Sequence, residues 1–179
     1  MEKIFLAIYC LCFTLIAKSQ TVDFTYKTSN GLFCNPSTIQ FTEGASGSPQ
    51  AYIWTFGDGT GSNNPNPLVT YNKAGTYTVK LVAIYQQTTA VVSKTIVINP
   101  SITTSIGFDR NYICTPGVIN FSSVSSASIN MYSWDFGDAS AIVNTSTNNI
   151  THNFSAPGNY KVKLIATPLS GCFDSTSTT

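Results

Sequence analysis

The two tryptophans of this chain stand in one frame, WTFGDGT at residues 54–60 and WDFGDAS at residues 134–140. The likeness extends well beyond them. From Cys34 to Asp58 a second copy follows at an offset of 80 residues, CNPSTIQF answering to CTPGVINF and AYIWTFGD to MYSWDFGD. After a three-residue insertion the offset becomes 83, and KAGTYTVKLVA answers to APGNYKVKLIA. A chain that repeats itself in this way is built from two like units. Their expected bounds are residues 21–99 and 104–179, with residues 100–103, opening on Pro100-Ser101, as a short stiff linker.

Inside each unit the apolar period is two. Tyr77, Val79, Leu81 and Ala83 alternate with Thr76, Thr78 and Lys80, and Tyr160, Val162, Leu164 and Ala166 repeat the pattern. Alternation of this kind marks a strand with one buried face. Similar runs at residues 22–26, 38–41, 51–56, 68–71 and 91–98 are separated by Gly, Pro, Asn and Ser clusters, and nothing longer than a turn reads as helix. About seven short strands per unit predict an all-β chain of two tandem seven-stranded immunoglobulin-like β-sandwiches. A tryptophan on the third strand fills the space between two such sheets, which assigns Trp54 and Trp134 to the cores, with Phe56 and Phe136 on the same face. The Gly-Asp that follows ends the strand: Gly57 and Gly137 can take positive φ, and Asp58 and Asp138 can accept turn N–H groups. Gly75 and Tyr77, and again Gly158 and Tyr160, have the spacing of a tyrosine corner, in which the phenol bonds back to the backbone.

The N-terminus is read separately. Met1-Glu2-Lys3 precedes fourteen almost unbroken apolar residues, Ile4 to Ala17, and Ala17-Lys18-Ser19 offers small residues where a signal peptidase reads. Fourteen residues are short of the roughly twenty that span a bilayer, so residues 1–20 are expected to be a signal peptide. Cys10 and Cys12 lack the small preceding residue of a lipid-attachment site. Removing this segment leaves seven basic and seven acidic residues. No basic field remains to recognise nucleic acid or an anionic membrane surface, and the mature part contains no transmembrane segment. Charged residues make up 9% of the chain, and Ser, Thr and Asn take their place, as suits an extracellular β protein.

At these residues the chain resembles a tandem pair of PKD domains, the immunoglobulin-like repeats named after polycystin. The family pattern W-x-F-G-D-G, N-P, Y-x-x-x-G-x-Y-x-V-x-L is met by Trp54, Phe56, Gly57, Asp58, Gly59, Asn66, Pro67, Tyr71, Gly75, Tyr77, Val79 and Leu81. The second unit departs from it at Ala139, where Gly is usual, and at Phe154 in place of Tyr71. It also stops early: Thr179 aligns with Ile96, so the last strand is expected to be truncated and the chain to be the start of a longer polypeptide. The three cysteines of the mature part leave two pairings open. Cys114 and Cys172 can join within the second unit, leaving Cys34 alone. Alternatively, the sandwich topology puts Cys34 at the exit of the first unit, facing Cys172 across the linker, and Cys114 then awaits a further repeat.

Enzymatic candidates are sparse. His152 is the only histidine and is expected in a loop; no nucleophile motif accompanies it, and one glutamate, Glu43, is left for paired-carboxylate chemistry. Asp58, Asp135 and Asp138 provide too few carboxylates for the six to eight oxygens of a calcium site. No catalytic residue, metal or cofactor is therefore expected. Phe33 and Phe173 are expected to pack around the junction. Tyr85, in a hairpin with Gln86 and Gln87, is the best candidate for ligand contact. Asn120, Asn144, Asn149 and Asn153 begin Asn-x-Ser/Thr sequons, which arise readily by chance in so Asn- and Thr-rich a chain. The composition suits a non-enzymatic, secreted or cell-surface binding and spacer module, whose partners are an extracellular protein or carbohydrate and neighbouring repeats of its own chain. The resemblance implies the N-terminal part of an adhesion protein of the gliding-motility type, or else an accessory polymer-binding region of a secreted hydrolase.

Overall fold

The computed structural model describes residues 20–112 and 116–179. The expected signal peptide, up to Ser19, and Cys114 lie outside the described residues. Fourteen strands and no helix make up the described chain.

The first unit comprises β1 (Phe24–Lys27), β2 (Ser37–Glu43), β3 (Ala51–Thr55), β4 (Gly61–Ser62), β5 (Leu68–Tyr71), β6 (Gly75–Ile84) and β7 (Thr89–Ile98). They form a three-stranded sheet in the order β1-β2-β5 and a four-stranded sheet in the order β4-β3-β6-β7, all antiparallel. The second unit repeats this plan with β8 (Thr104–Phe108), β9 (Gly117–Ser125), β10 (Met131–Asp135), β11 (Val143–Thr145), β12 (Asn149–Phe154), β13 (Val162–Thr167) and β14 (Asp174–Thr178), ordered β12-β9-β8 and β11-β10-β13-β14. Each unit is thus a seven-stranded immunoglobulin-like sandwich. The two-residue strand β4 has no period to betray it in the sequence; it exists because Trp54 and Thr55 present backbone groups to Ser62 and Gly61.

Alternation decides what is buried. Val79, Leu81 and Ala83 of β6 are each 0% exposed, and the residues between them face outward. The two cores are near copies. Phe41, Trp54, Phe56 and Tyr71 close one, and Phe121, Trp134, Phe136 and Phe154 the other. Trp54 stacks on Phe56 with centroids 6.0 Å apart, and Trp134 on Phe136 at 6.2 Å. The indoles are 1% and 0% exposed, and neither indole N–H has a hydrogen-bond partner among the described residues. The packing of apolar rings outweighs that cost, since burying one such side chain is worth about 2–3 kcal/mol.

The copies differ at their last strands. β7 pairs with β6 over ten residues, Gly75 to Ile84, whereas β14 pairs with β13 over Val162–Ala166. Val162 faces Thr178 as Val79 faces Lys94, so Thr179 stands at the position of Thr95 and not of Ile96, the hairpin before β14 being one residue longer than its counterpart. Tyr160, expected to open a strand, precedes β13. Among the described residues its backbone enters no ladder.

Candidate functional site

The segment between the two sandwiches is fastened on both sides. Cys34 forms a parallel bridge with Asn99, the Asn35 N–H donates to the Asn99 carbonyl at 3.0 Å, and the Asn99 N–H donates to the Phe33 carbonyl at 2.7 Å. Two residues further on, the Ser101 N–H donates to Asn35 Oδ1 at 2.7 Å and its hydroxyl donates to the Asn35 carbonyl. Residues 33–35 thereby grip the chain as it leaves the first sandwich. The same segment is joined to the second sandwich: Cys34 and Cys172, separated by 138 positions in the sequence, form a disulfide with Cα atoms 5.6 Å apart. Cys172 is 2% exposed and lies just before β14. Within the linker, Ile102 is buried in the second core, so that the linker is held from that side as well. Phe33 packs edge-on to Tyr26 at 5.7 Å in the first core, but Phe173, expected at the junction, is 55% exposed because it follows Cys172 out of the hairpin.

Tyr85 corrects an expectation. It is 5% exposed; its hydroxyl donates to the Ser46 carbonyl at 2.7 Å and its N–H to the Thr88 carbonyl at 2.9 Å. The ring closes the hairpin against the neighbouring loop instead of meeting a ligand, because the turn folds back over Gly47.

The two Gly-Asp turns share one geometry. Gly57 has φ 80° and Gly137 φ 72°; a Cβ there would stand 2.8 Å from the Thr78 nitrogen and 2.5 Å from the Lys161 oxygen. Asp58 Oδ1 accepts from the Thr60 N–H at 2.9 Å and hydroxyl at 2.6 Å, and Asp138 Oδ1 from the Ser140 N–H at 3.1 Å and hydroxyl at 2.5 Å. Tyr77 and Tyr160 form the two corners, their hydroxyls donating at 2.8 Å to the carbonyls of Lys73 and Ala156, above Gly75 and Gly158.

One pair was not foreseen. His152 lies on β12 rather than in a loop, its Nε2 2.7 Å from Asp138 Oδ2 and its ring stacked on Phe136 at 3.8 Å. Both side chains are about seven-eighths buried. Burial raises the Asp138 carboxyl pKa, but the Ser140 hydroxyl, His152 and the Ser140 N–H outweigh it and bring it down to about 2. The arrangement is not a catalytic triad, since the serine hydroxyl binds the carboxylate and not the imidazole. The available signal was a departure between copies: Val69 pairs with Ile39 in β5 as His152 pairs with Ile119 in β12, next to the same turn aspartate.

Asp135 accepts from the Gly137 N–H at 3.0 Å. Among the described residues no three of His, Cys, Asp and Glu gather into a group that could hold a metal ion. Elsewhere Lys94 bonds Asp23 at 2.6 Å and so lowers the pKa of that carboxyl. Among the described residues no helix is long and apolar enough to cross a membrane.

Comparison with protein families matches residues 23–97 to the PKD domain and residues 104–179 to the PKD domain again. The chain belongs to the PKD-domain family. A stretch of 47 residues of the chain is similar in sequence to part of collagenase ColA of Bacillus cereus, with 48% identity. That match covers 24% of this chain and spans 5% of the collagenase's length. Among solved structures, the PKD1 domain of the Vibrio cholerae metalloprotease PrtV is 22% identical over 46% of this chain and 99% of its own, with a TM-score of 0.39. Fibronectin(III)-like modules of Clostridium thermocellum CbhA are 12% identical over 86% and 91%, with a TM-score of 0.46.

Proposed function

We propose that this chain is a non-catalytic extracellular module that holds two PKD domains in a fixed relation and presents their outer surfaces to a protein or carbohydrate ligand, as part of a secreted or cell-surface adhesion system. The observation that carries this reading is the junction. A linker pinned to residues 33–35 and a disulfide from the same segment make two covalent connections between the sandwiches. Two connections restrict the hinge motion that one leaves open, as a spacer requires. A disulfide also suits an oxidising compartment, in keeping with the signal peptide expected at residues 1–20. Small-angle scattering tests the reading: the oxidised protein should fit a narrow range of interdomain geometries, and Cys172→Ser a visibly broader one. Equal breadth in both would remove the spacer role.

The partial likeness to a collagenase favours a second reading, an accessory polymer-binding region of a secreted hydrolase. Co-sedimentation with insoluble collagen or polysaccharide separates the two. Saturable retention on one polymer supports the accessory role, and retention on none leaves the spacer and adhesion role.

A further inference from the structure

The chain has one asparagine followed directly by glycine, Asn30-Gly31, in the exposed loop between β1 and β2. The Asn30 side chain is turned back along its own backbone. Its Oδ1 accepts from the Leu32 N–H at 3.0 Å and from the Thr28 hydroxyl at 3.3 Å, so the carboxamide lies along the Gly31 peptide with two donors on its oxygen. Gly31 has φ 76°, a Cβ there would meet nothing within 4 Å, and among the described residues the Gly31 N–H has no hydrogen-bond partner. The nitrogen that follows Asn30 is therefore unshielded and uncommitted. Three residues after Asn30, Phe33 begins the segment that grips the linker.

We propose that Asn30-Gly31 is a self-modification site, at which the loop converts its own asparagine to aspartate and isoaspartate with water as the co-reactant. The Gly31 nitrogen gives its proton to solvent base and bonds to Asn30 Cγ, which places the negative charge of the tetrahedral intermediate on Oδ1. That is the atom to which the Leu32 N–H and the Thr28 hydroxyl already donate, and donors in place at a developing oxyanion lower the barrier. The Cγ–Nδ2 bond then breaks, Nδ2 takes a proton from water and leaves as ammonia, and a cyclic succinimide remains. Water opens this ring at Cγ to give aspartate, or at the main-chain carbonyl to give isoaspartate. Nothing is oxidised or reduced. Either product adds a negative charge to the loop, and isoaspartate also lengthens the main chain by one carbon ahead of the clamp at residues 33–35. The inference goes beyond the proposed function and is independent of it, since the reaction needs no ligand and no second domain.

The test follows the oxidised protein in mildly alkaline buffer, native and in guanidinium chloride, by mass-spectrometric peptide mapping with isoaspartate-specific methylation. A rigid backbone ordinarily slows this reaction, so a loop that promotes it is recognised by its rate. Conversion of Asn30 is expected to be at least as fast in the native state as in the denatured one. Asn64 and Asn66 serve as internal controls and should stay unchanged, because Pro65 and Pro67 after them have no N–H to give up. Thr28→Val removes one donor from Oδ1 and should slow native conversion by about threefold while leaving the denatured rate as it was, a split that a general loss of folding does not produce. A native rate below the denatured rate, or a Thr28→Val protein that converts natively as fast as the unsubstituted one, would overturn the proposal.

Discussion

At the scale of single residues, the two copies act as controls for each other. Gly59 has φ 91°, and Ala139, its counterpart, has φ 67°. A non-glycine residue in that region costs about 1–2 kcal/mol, part of which the unfolded-state entropy of glycine offsets. Ala139→Gly is therefore expected to stabilise the second domain by about 0.5–1 kcal/mol in urea unfolding. Gly137→Ala should do the opposite, by more than about 2 kcal/mol, because its Cβ would meet the Lys161 backbone. Asp138 supplies a pH signature. Its folded pKa of about 2 lies below the ordinary 3.8, so the unfolded chain holds the proton more tightly. The stability it contributes is fully present above about pH 4 and is lost as pH falls towards 2. Stability measured over that window should decline less in Asp138→Asn than in the native protein, and identical slopes would refute the assignment.

Elements are set by pairing as much as by pattern. β6 and the segment ending in β13 carry the same alternation, yet β6 runs for ten residues and β13 for six. Lys94 to Ile98 stand opposite β6 and hold its first half in the ladder; Tyr160 enters no ladder among the described residues. The corner tyrosines brace the entry to each of these strands. Tyr77→Phe and Tyr160→Phe each remove one hydrogen bond to a carbonyl and are expected to cost about 1 kcal/mol apiece, read as a fall in the thermal midpoint of the domain concerned. A loss at Tyr77 with none at Tyr160 would mean that the second corner frays in solution.

For the whole molecule the disulfide is the organising bond. It joins two cores that share no buried residue, so its stabilising effect falls mainly on their mutual orientation. Reduction, or Cys172→Ser, is expected to shift the unfolding midpoint of either domain little while broadening their relative motion. Calorimetry with and without reductant checks the first part. A large fall in both midpoints would show that the domains unfold as one cooperative unit.

Residues 54–60 and 134–140, with their period-two neighbours, determined a great deal by themselves: two copies, β-strands throughout, tryptophans at the third strand and Gly-Asp turns after it. These are local rules, in which side-chain alternation and the backbone freedom of glycine act over a few residues. The partners across space were not legible in the same way. Cys172 had two candidate mates, and the fold brings its Cα within 5.6 Å of that of Cys34. Tyr85 looked available, and a loop 39 residues away in sequence buried it. His152 and Asp138 meet because β12 crosses beside the turn after β10. Distance along the chain carries no information about such contacts. Packing two sheets together creates them, and only the tertiary structure decided which side chains met.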